Sequence, residues 1–145
     1  MDETYKNAAP SYTVNFNIAQ RTKKAGYYLS GEYYRQDGMF KKGNDIYDRY
    51  NMRAKVDFQL TNWLNISNNT SFAFRKYDKP NIDMESFFHE VNRKSTLDVV
   101  RNPDGTYTKS GGAILGLLEN GGRSVNDRRD FSTTFAATID LLKDV

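Results

Sequence analysis

The chain has 145 residues, the length of one domain, and it combines 38% hydrophobic and 27% charged residues with 14% aromatic ones. Its net charge of +3 comes from 21 basic and 18 acidic residues interspersed along the chain, which gives no basic stripe or tail for nucleic acid. Cysteine is absent and no run of roughly 18 apolar residues occurs, so disulfides, thiolate metal sites and a transmembrane helix are excluded.

Alternating residues predict two strands joined by a short turn in the first part of the chain. A strand points successive side chains to opposite faces, so this alternation indicates one apolar and one polar face. We expect strands over residues 11–21 and 26–36, joined at 22–26 by a turn short enough for a hairpin. The apolar face of this pair includes Tyr12, Val14, Phe16, Ile18 and Leu29.

The next two strands follow a polar loop over residues 37–49, whose Asp-Gly and Gly-Asn steps favour turns. Alternation predicts a third strand over 50–60 and, after a turn at 61–62, a fourth strand over 63–75. The fourth strand has the weaker pattern, because Asn68 falls on its apolar side. The apolar positions of the two strands are Tyr50, Met52, Val56, Phe58, Leu60, Phe72 and Phe74.

No alternation extends across residues 78–126, and a loop of that length is usually functional, disordered or structured in itself. Within it we expect a short helix over 83–94, a turn over 102–105 and a second short helix over 113–118. A fifth strand is predicted over 129–142. Its apolar face includes Phe131, Phe135 and Ile139.

These five segments together are typical of neighbouring strands of a transmembrane β-barrel, with the apolar face toward lipid and the polar face toward a watery lumen. Their connections alternate between short and long, as periplasmic turns and extracellular loops do in bacterial barrels. The predicted fold is all-β: part of an antiparallel up-and-down transmembrane barrel, about five strands, with one long extracellular loop containing short helices. The apolar residues given for each strand are the expected lipid-facing positions. The expected lumen-facing positions are Glu32, Arg53, Lys55 and Asp57.

Four short motifs follow one another in a set order along the first half of the chain. They are Tyr27-Tyr28-Leu29-Ser30-Gly31-Glu32-Tyr33-Tyr34, Gln36-Asp37-Gly38, Arg49-Tyr50-Asn51 and Leu60-Thr61-Asn62-Trp63-Leu64. This ordered set resembles the SusC/RagA group of TonB-dependent outer-membrane transporters of Bacteroidetes, and the likeness extends from about Tyr12 to Leu142.

The resemblance implies a Gram-negative outer-membrane transporter with a barrel of about 22 strands closed by an N-terminal plug. It implies import of oligosaccharide or peptide nutrients beneath a SusD-like surface lipoprotein, driven by TonB, with no enzymatic activity and no cofactor. Residues 1–10 lack the apolar stretch of a secretory signal, although a barrel protein must cross the inner membrane. We therefore expect this sequence to be an internal piece of a longer protein, with the plug and the remaining strands elsewhere.

A secreted or surface β-sandwich that binds carbohydrate is the alternative fold and function. In a sandwich the alternating apolar faces would pack against each other across a core instead of facing lipid. The long excursion over 78–126 and the many Tyr and Phe residues near strand ends favour the barrel.

Candidate sites for chemistry are weak throughout the sequence. His89 is the only histidine, and an ordinary loop position explains it better than a metal site. Asp37, Asn44, Asp45 and Asp48 do not match the spacing of a calcium-binding EF-hand loop, and no serine has the matched His and Asp of a nucleophilic triad.

Aromatic residues of the long loop are the remaining candidates. Phe87, Phe88 and Tyr107 are expected to be exposed there, where they could contact a sugar or a lid protein. Packing against neighbouring loops explains them equally well. The lumen-facing charges likewise could contact a passing solute, but cross-strand charge pairing in a polar wall is the favoured interpretation.

Overall fold

The computed structural model describes residues 3–95 and 97–140, and its main feature is one five-stranded antiparallel sheet. The strand order is β1-β2-β3-β4-β5, so every strand pairs with its neighbours in sequence. This confirms the predicted all-β, up-and-down arrangement as an open sheet. The strands are β1 (Ser11–Arg21), β2 (Ala25–Asp37), β3 (Ile46–Gln59), β4 (Leu64–Pro80) and β5 (Arg123–Ile139).

Three strands extend further toward the long connections than the alternation indicates. β3 begins at Ile46 instead of 50, β4 continues to Pro80 instead of 75, and β5 begins at Arg123 instead of 129. These extensions are rich in Tyr, Asp, Lys and Arg and lack an apolar face, so the pattern used to predict strands is missing there. Positions 141–142, the expected end of the fifth strand, lie outside the described residues.

Contacts divide the chain into two compact units, of which the first contains most of the sheet. We call it the sheet unit, and it comprises Tyr12–Arg35, Asp48–Lys76 and Asp127–Val145. Every residue of β1 is exposed, and nearly every residue of β5 is exposed as well. Backbone hydrogen bonds fix its short turns, since Thr22 N–H donates to Ala25 C=O at 2.7 Å and Leu60 N–H donates to Leu64 C=O at 3.0 Å.

The second unit, called the loop unit, is built from three separate stretches of chain. It comprises Met1–Ser11, Gln36–Tyr47 and Tyr77–Asn126. Its helical segments are α1 (Met84–Arg93), α2 (Lys109–Gly111), a π-helical turn (Gly112–Gly116) and α3 (Leu117–Asn120). Among the helices of the described residues, none is long and apolar enough to cross a membrane.

Helix α1 lies within the segment 83–94 where the sequence predicts a short helix. Asp83 is the N-cap, and its carboxylate accepts a hydrogen bond from Ser86 N–H at 3.0 Å, which satisfies a donor that the first helical turn leaves free. One side of α1 then packs into a small core together with Phe40 from the second stretch. The core of the loop unit consists of Phe40, Phe87, Val91 and Leu118.

This core corrects one expectation about the loop aromatics. Phe87 is only 1% exposed, with its ring 5.5 Å from that of Phe40 in an edge-to-face arrangement, so it is not available for an outside partner. Phe88, the next residue along α1, is 41% exposed. The physical reason is that successive helical residues point in different directions, and Phe40 and Leu118 come together to cover only one of the two.

The turn predicted at 102–105 closes a small hairpin in the loop unit. Arg101 and Tyr107 form an isolated antiparallel bridge, and Asn102 N–H donates to Thr106 C=O at 2.8 Å. Gly105 has a φ of 84°, a conformation that favours glycine because other residues have a Cβ that clashes there.

Candidate functional site

One face of the sheet unit is apolar and exposed across all five strands. Every predicted lipid-facing residue lies at an alternating position in a strand or directly follows the end of a strand. All of these side chains except that of Phe74 are more than a third exposed, and Phe135 is 76% exposed. A water-soluble monomer rarely exposes a contiguous apolar patch larger than a few hundred Å². This face therefore calls for an apolar surrounding or a covering partner.

Aromatic rings form a continuous row across this apolar face, which we call the aromatic row: Tyr12, Tyr33, Tyr50 and Phe74. The ring centroids are 5.7 Å apart between Tyr12 and Tyr33, 4.7 Å between Tyr33 and Tyr50, and 5.9 Å between Tyr50 and Phe74. The guanidinium of Arg129 on β5 lies 5.4 Å from the Phe74 ring centroid. The row thus reaches from β1 to β5 through cross-strand pairs, which stabilise a sheet.

Gly31 on β2 leaves space for an aromatic ring from the neighbouring strand. A Cβ built on Gly31 would lie 2.4 Å from Cε1 of Phe16, closer than real Cβ contacts allow. Phe16 therefore lies over the backbone of β2, where it covers a strand position that has no side chain. This arrangement keeps the apolar face continuous beside the aromatic row.

A small polar cluster interrupts the apolar face on β4 and β5. Asn68 donates from Nδ2 to Thr133 Oγ1 at 3.2 Å and to Thr134 C=O at 3.3 Å, and Thr70 Oγ1 donates to Asn68 Oδ1 at 2.9 Å. These bonds explain how Asn68 is accommodated among apolar positions. Placing a polar side chain in an apolar surrounding costs much less free energy when its polar atoms are hydrogen-bonded than when they are not.

The opposite face of the sheet unit is polar, and several of its charged side chains have polar partners. The carboxylate of Glu32 accepts from Arg49 at 2.7 Å and from Asn51 at 3.0 Å. Arg53 Nε donates to Asn69 at 3.0 Å, and Lys55 Nζ lies 3.7 Å from Asp57. All four residues predicted to face the lumen therefore have polar partners on this face, of which Glu32 with Arg49 is an ion pair between neighbouring strands.

A shallow depression of about 520 Å³ lies in the sheet unit. Its polar lining includes Asn15, Ser30, Glu32, Asn51 and Arg53. Amides and hydroxyls outnumber the charged groups among its polar residues, and apolar residues such as Phe16 and Phe72 line it as well. It contains no arrangement of nucleophile and base from which a reaction could be derived.

Tyr107, the third loop aromatic, is held inside the loop unit. The guanidinium of Arg101 lies 4.3 Å from its ring centroid, and its hydroxyl donates a short hydrogen bond to Glu119. This bond holds the pKa of the Glu119 carboxyl below its usual range, and Lys42 at 3.6 Å adds to the effect. The network secures the 101–107 hairpin to α3. Phe88 is therefore the most exposed of the three predicted loop aromatics.

Comparisons with models of protein families, with curated proteins and with solved structures find no match. The resemblance to the SusC/RagA group therefore stays a prediction based on the ordered motifs. Within residues 3–95 and 97–140, no group of three or more His, Asp or Glu side chains is arranged to hold a metal ion.

Sequence reasoning missed the aromatic row as a unit. Tyr33 is absent from the predicted lipid-facing residues although its ring connects Tyr12 with Tyr50, and Arg129 was not singled out either. The available signal was one apolar aromatic residue near the same end of each of four strands. Its use requires the pairing register, which the sequence alone does not supply.

Proposed function

We propose that this chain is part of an outer-membrane β-barrel, with the apolar face of the sheet unit against lipid and the polar face toward the lumen. The supporting observation is the exposed apolar face crossed by the aromatic row. In β3 the apolar positions run from Tyr50 to Leu60, roughly 33 Å at about 3.3 Å per residue. A strand tilt of about 40° reduces this to roughly 25 Å, the height of the apolar band of such barrels.

The open edges of the sheet support the same proposal. β1 and β5 each have a neighbour on one side only, which leaves backbone donors and acceptors without strand partners along the other side. In a bilayer such groups must be satisfied by further strands, and closure into a barrel achieves this. The remaining strands would belong to a longer protein that contains this chain.

For that longer protein, the resemblance given by the ordered motifs supports a TonB-dependent transporter of the SusC type. Its activity would be import of oligosaccharide or peptide nutrients without covalent chemistry, with a SusD-like lipoprotein as its surface partner. The polar lining of this face, in which amides and hydroxyls accompany the charged Glu32 and Arg53, suits a wall that such solutes pass, because it offers them hydrogen bonds.

Two neighbouring substitutions on β5 test the lipid-facing assignment. Phe135→Lys places a charge on the exposed apolar face, and Thr134→Lys places the same charge on the opposite face one residue away. A lysine on the lipid side near the midplane costs about 2–4 kcal/mol, whereas a lysine on the lumen side is tolerated. We expect F135K to reduce strand formation in phospholipid vesicles at least tenfold more than T134K, measured by circular dichroism and protease protection.

Folding in plain buffer provides the opposing outcome. If the chain gives a cooperative, protease-resistant fold without detergent or lipid, its apolar face must be covered by protein. That result would replace the barrel with a water-soluble β-sandwich. Equal losses for F135K and T134K in vesicles would also contradict the proposed faces.

A further inference from the structure

Three arginines lie on the polar face of the sheet unit, one on each of three neighbouring strands. We call them the arginine row: Arg49 on β3, Arg75 on β4 and Arg128 on β5. All three side chains are more than a third exposed, and that of Arg128 is 67% exposed. A solute at this face can therefore reach their guanidinium groups.

Strand pairing sets the members of the arginine row side by side. Asp140 N–H donates to Trp63 C=O at 2.9 Å, and counting along both strands from this antiparallel pair sets the β4 and β5 arginines opposite each other. The stacked rings of Tyr50 and Phe74 adjoin the β3 and β4 arginines in sequence and set those two opposite each other as well. Like charges directly opposite in a sheet are destabilising, so the row costs stability that a bound anion would offset.

Two carboxylates are shared among the three guanidinium groups of the arginine row. Glu32 accepts a hydrogen bond from Arg49 at 2.7 Å. Asp130 accepts from Arg75 at 2.9 Å and from Arg128 at 3.1 Å. Three positive charges therefore face two negative ones, and one positive charge of the row is not neutralised by these pairs.

Arg53, on the same face of β3, adds a second positive charge of this kind. Its Nε donates to the side-chain oxygen of Asn69 at 3.0 Å, which is a neutral partner. Besides the two carboxylates of the row, alternation places one further acidic side chain, Asp57, on this face of the described strands, and it lies 3.7 Å from Lys55. The carboxylates of this face therefore leave two arginine charges without a counter-charge of their own.

The shallow depression of the sheet unit adjoins these charges. Glu32, Arg53 and Asp130 are among its lining residues, together with neutral polar groups such as Asn51 and Ser132. Its volume of about 520 Å³ lies within the range of sites that hold small ligands. A guanidinium group presents its N–H donors in a planar fork that matches the two oxygens of a carboxylate. Amides and hydroxyls can bond the uncharged parts of the same ligand.

We propose that the arginine row and Arg53 bind the carboxylates of a polar solute seated in the depression. The ligand class is a short oligomer that carries carboxylates, supplied either by acidic sugars or by acidic amino acids. The surplus of positive charge also attracts such anions toward the face. This inference rests on the proposed function, in which solutes pass the polar face, and it adds the charge that those solutes carry.

Calorimetric titration of the whole chain in micelles of an uncharged detergent tests the ligand class. Two matched pairs of probes are used: trigalacturonate with neutral galactotriose, and triglutamate with triglutamine. We expect an acidic probe to bind at least about tenfold more tightly than its neutral counterpart, because it gains charge-assisted hydrogen bonds. The pair with the tighter acidic member identifies whether the carboxylates belong to a sugar or to a peptide.

Substitutions on adjacent residues of β5 locate the binding. Arg128→Gln removes a charge of the arginine row and leaves Asp130 paired with Arg75, whereas Arg129→Gln removes the same charge from the apolar face. We expect R128Q to weaken binding of the acidic probe about tenfold and R129Q to change it less than about twofold. Arg53→Gln repeats the test on β3, so the result does not depend on one variant folding. Circular dichroism verifies the strands in each variant.

Two outcomes would overturn the inference while the lipid-facing assignment stands. One is equal or absent binding of acidic and neutral probes by a chain whose strands have formed in micelles. The other is an equal loss of binding in R128Q and R129Q, which would mean attraction by overall charge alone. Failure of the proposed function gives a different result: a chain that folds in plain buffer and still binds the acidic probe through Arg128 keeps the anion site and removes the barrel.

Discussion

Replacing Phe87 with alanine is expected to disorder the loop unit, because this ring is the centre of its small core. Phe87 is 1% exposed and packs edge-to-face on Phe40, with the centroids 5.5 Å apart. Truncation of a buried phenylalanine to alanine costs about 3–5 kcal/mol, through lost burial and the cavity that remains. A core of four buried apolar residues stabilises the loop unit by too little free energy to tolerate a loss of this size.

The adjacent Phe88 supplies the matched control for this substitution. Phe88→Ala removes the same atoms from a side chain that is 41% exposed, and the ring contact it loses is the edge-to-face one with Phe87, with the centroids 5.7 Å apart. Such a contact contributes about 0.5–1.5 kcal/mol. F88A is therefore expected to be several-fold milder than F87A in its effect on local opening.

Hydrogen exchange of the α1 amides, measured on the whole chain in detergent micelles, distinguishes the two variants. We expect F87A to accelerate exchange across Met84–Arg93 about 100-fold or to abolish protection, and F88A to accelerate it roughly fivefold. Equal acceleration by both variants would refute the assignment of Phe87 to a core. It would restore Phe87 as a surface residue available to a partner.

Two further predictions concern the sheet unit and the first turn of α1. Gly31→Ala forces the Phe16 ring to move and is expected to lower the free energy of unfolding of the sheet by about 1–3 kcal/mol. Urea unfolding of the chain in micelles measures this loss, and adding Phe16→Ala to the same chain should relieve most of it. Hydrogen bonds from Ser86 lower the pKa of Asp83 below its ordinary value of 3.8. The ionised cap therefore stabilises α1 fully above pH 3.8, and this stabilisation is lost as the pH falls through the lowered pKa. Exchange of the Ser86 amide should therefore lose protection in acid, and Asp83→Asn should flatten this pH dependence.

The five strands could be predicted from the sequence because successive residues of a strand face two different surroundings. Nearly every residue in them is therefore apolar or polar according to the face on which it lies. Their ends near the long connections could not, since β3 there begins with Ile46, Tyr47 and Asp48, where no apolar face exists. Helix α1 was predicted over 83–94, and the structure adds that Asp83 is its N-cap.

Long-range contacts account for what the sequence did not provide. Phe87 and Phe88 are chemically identical neighbours, and residues distant in the chain, Phe40 and Leu118, determine which of them is buried. The aromatic row likewise depends on the pairing of strands, because a shift by one residue would move each ring to the other face. The exposed apolar residues could be identified from alternation, whereas their assembly into a row could not.

The discontinuous build of the loop unit has a kinetic consequence. Phe40 and Phe87 belong to stretches separated in sequence by β3 and β4, and within the loop unit the rings of Tyr47 and Tyr77 lie 6.2 Å apart. The loop core is therefore expected to form late, after the β3–β4 hairpin has closed the distance between its parts. If β3 and β4 paired in a shifted register, the stretches that contain Phe40 and Phe87 would be displaced and could not form the core. Burial of Phe87 therefore reports that the two strands have paired correctly.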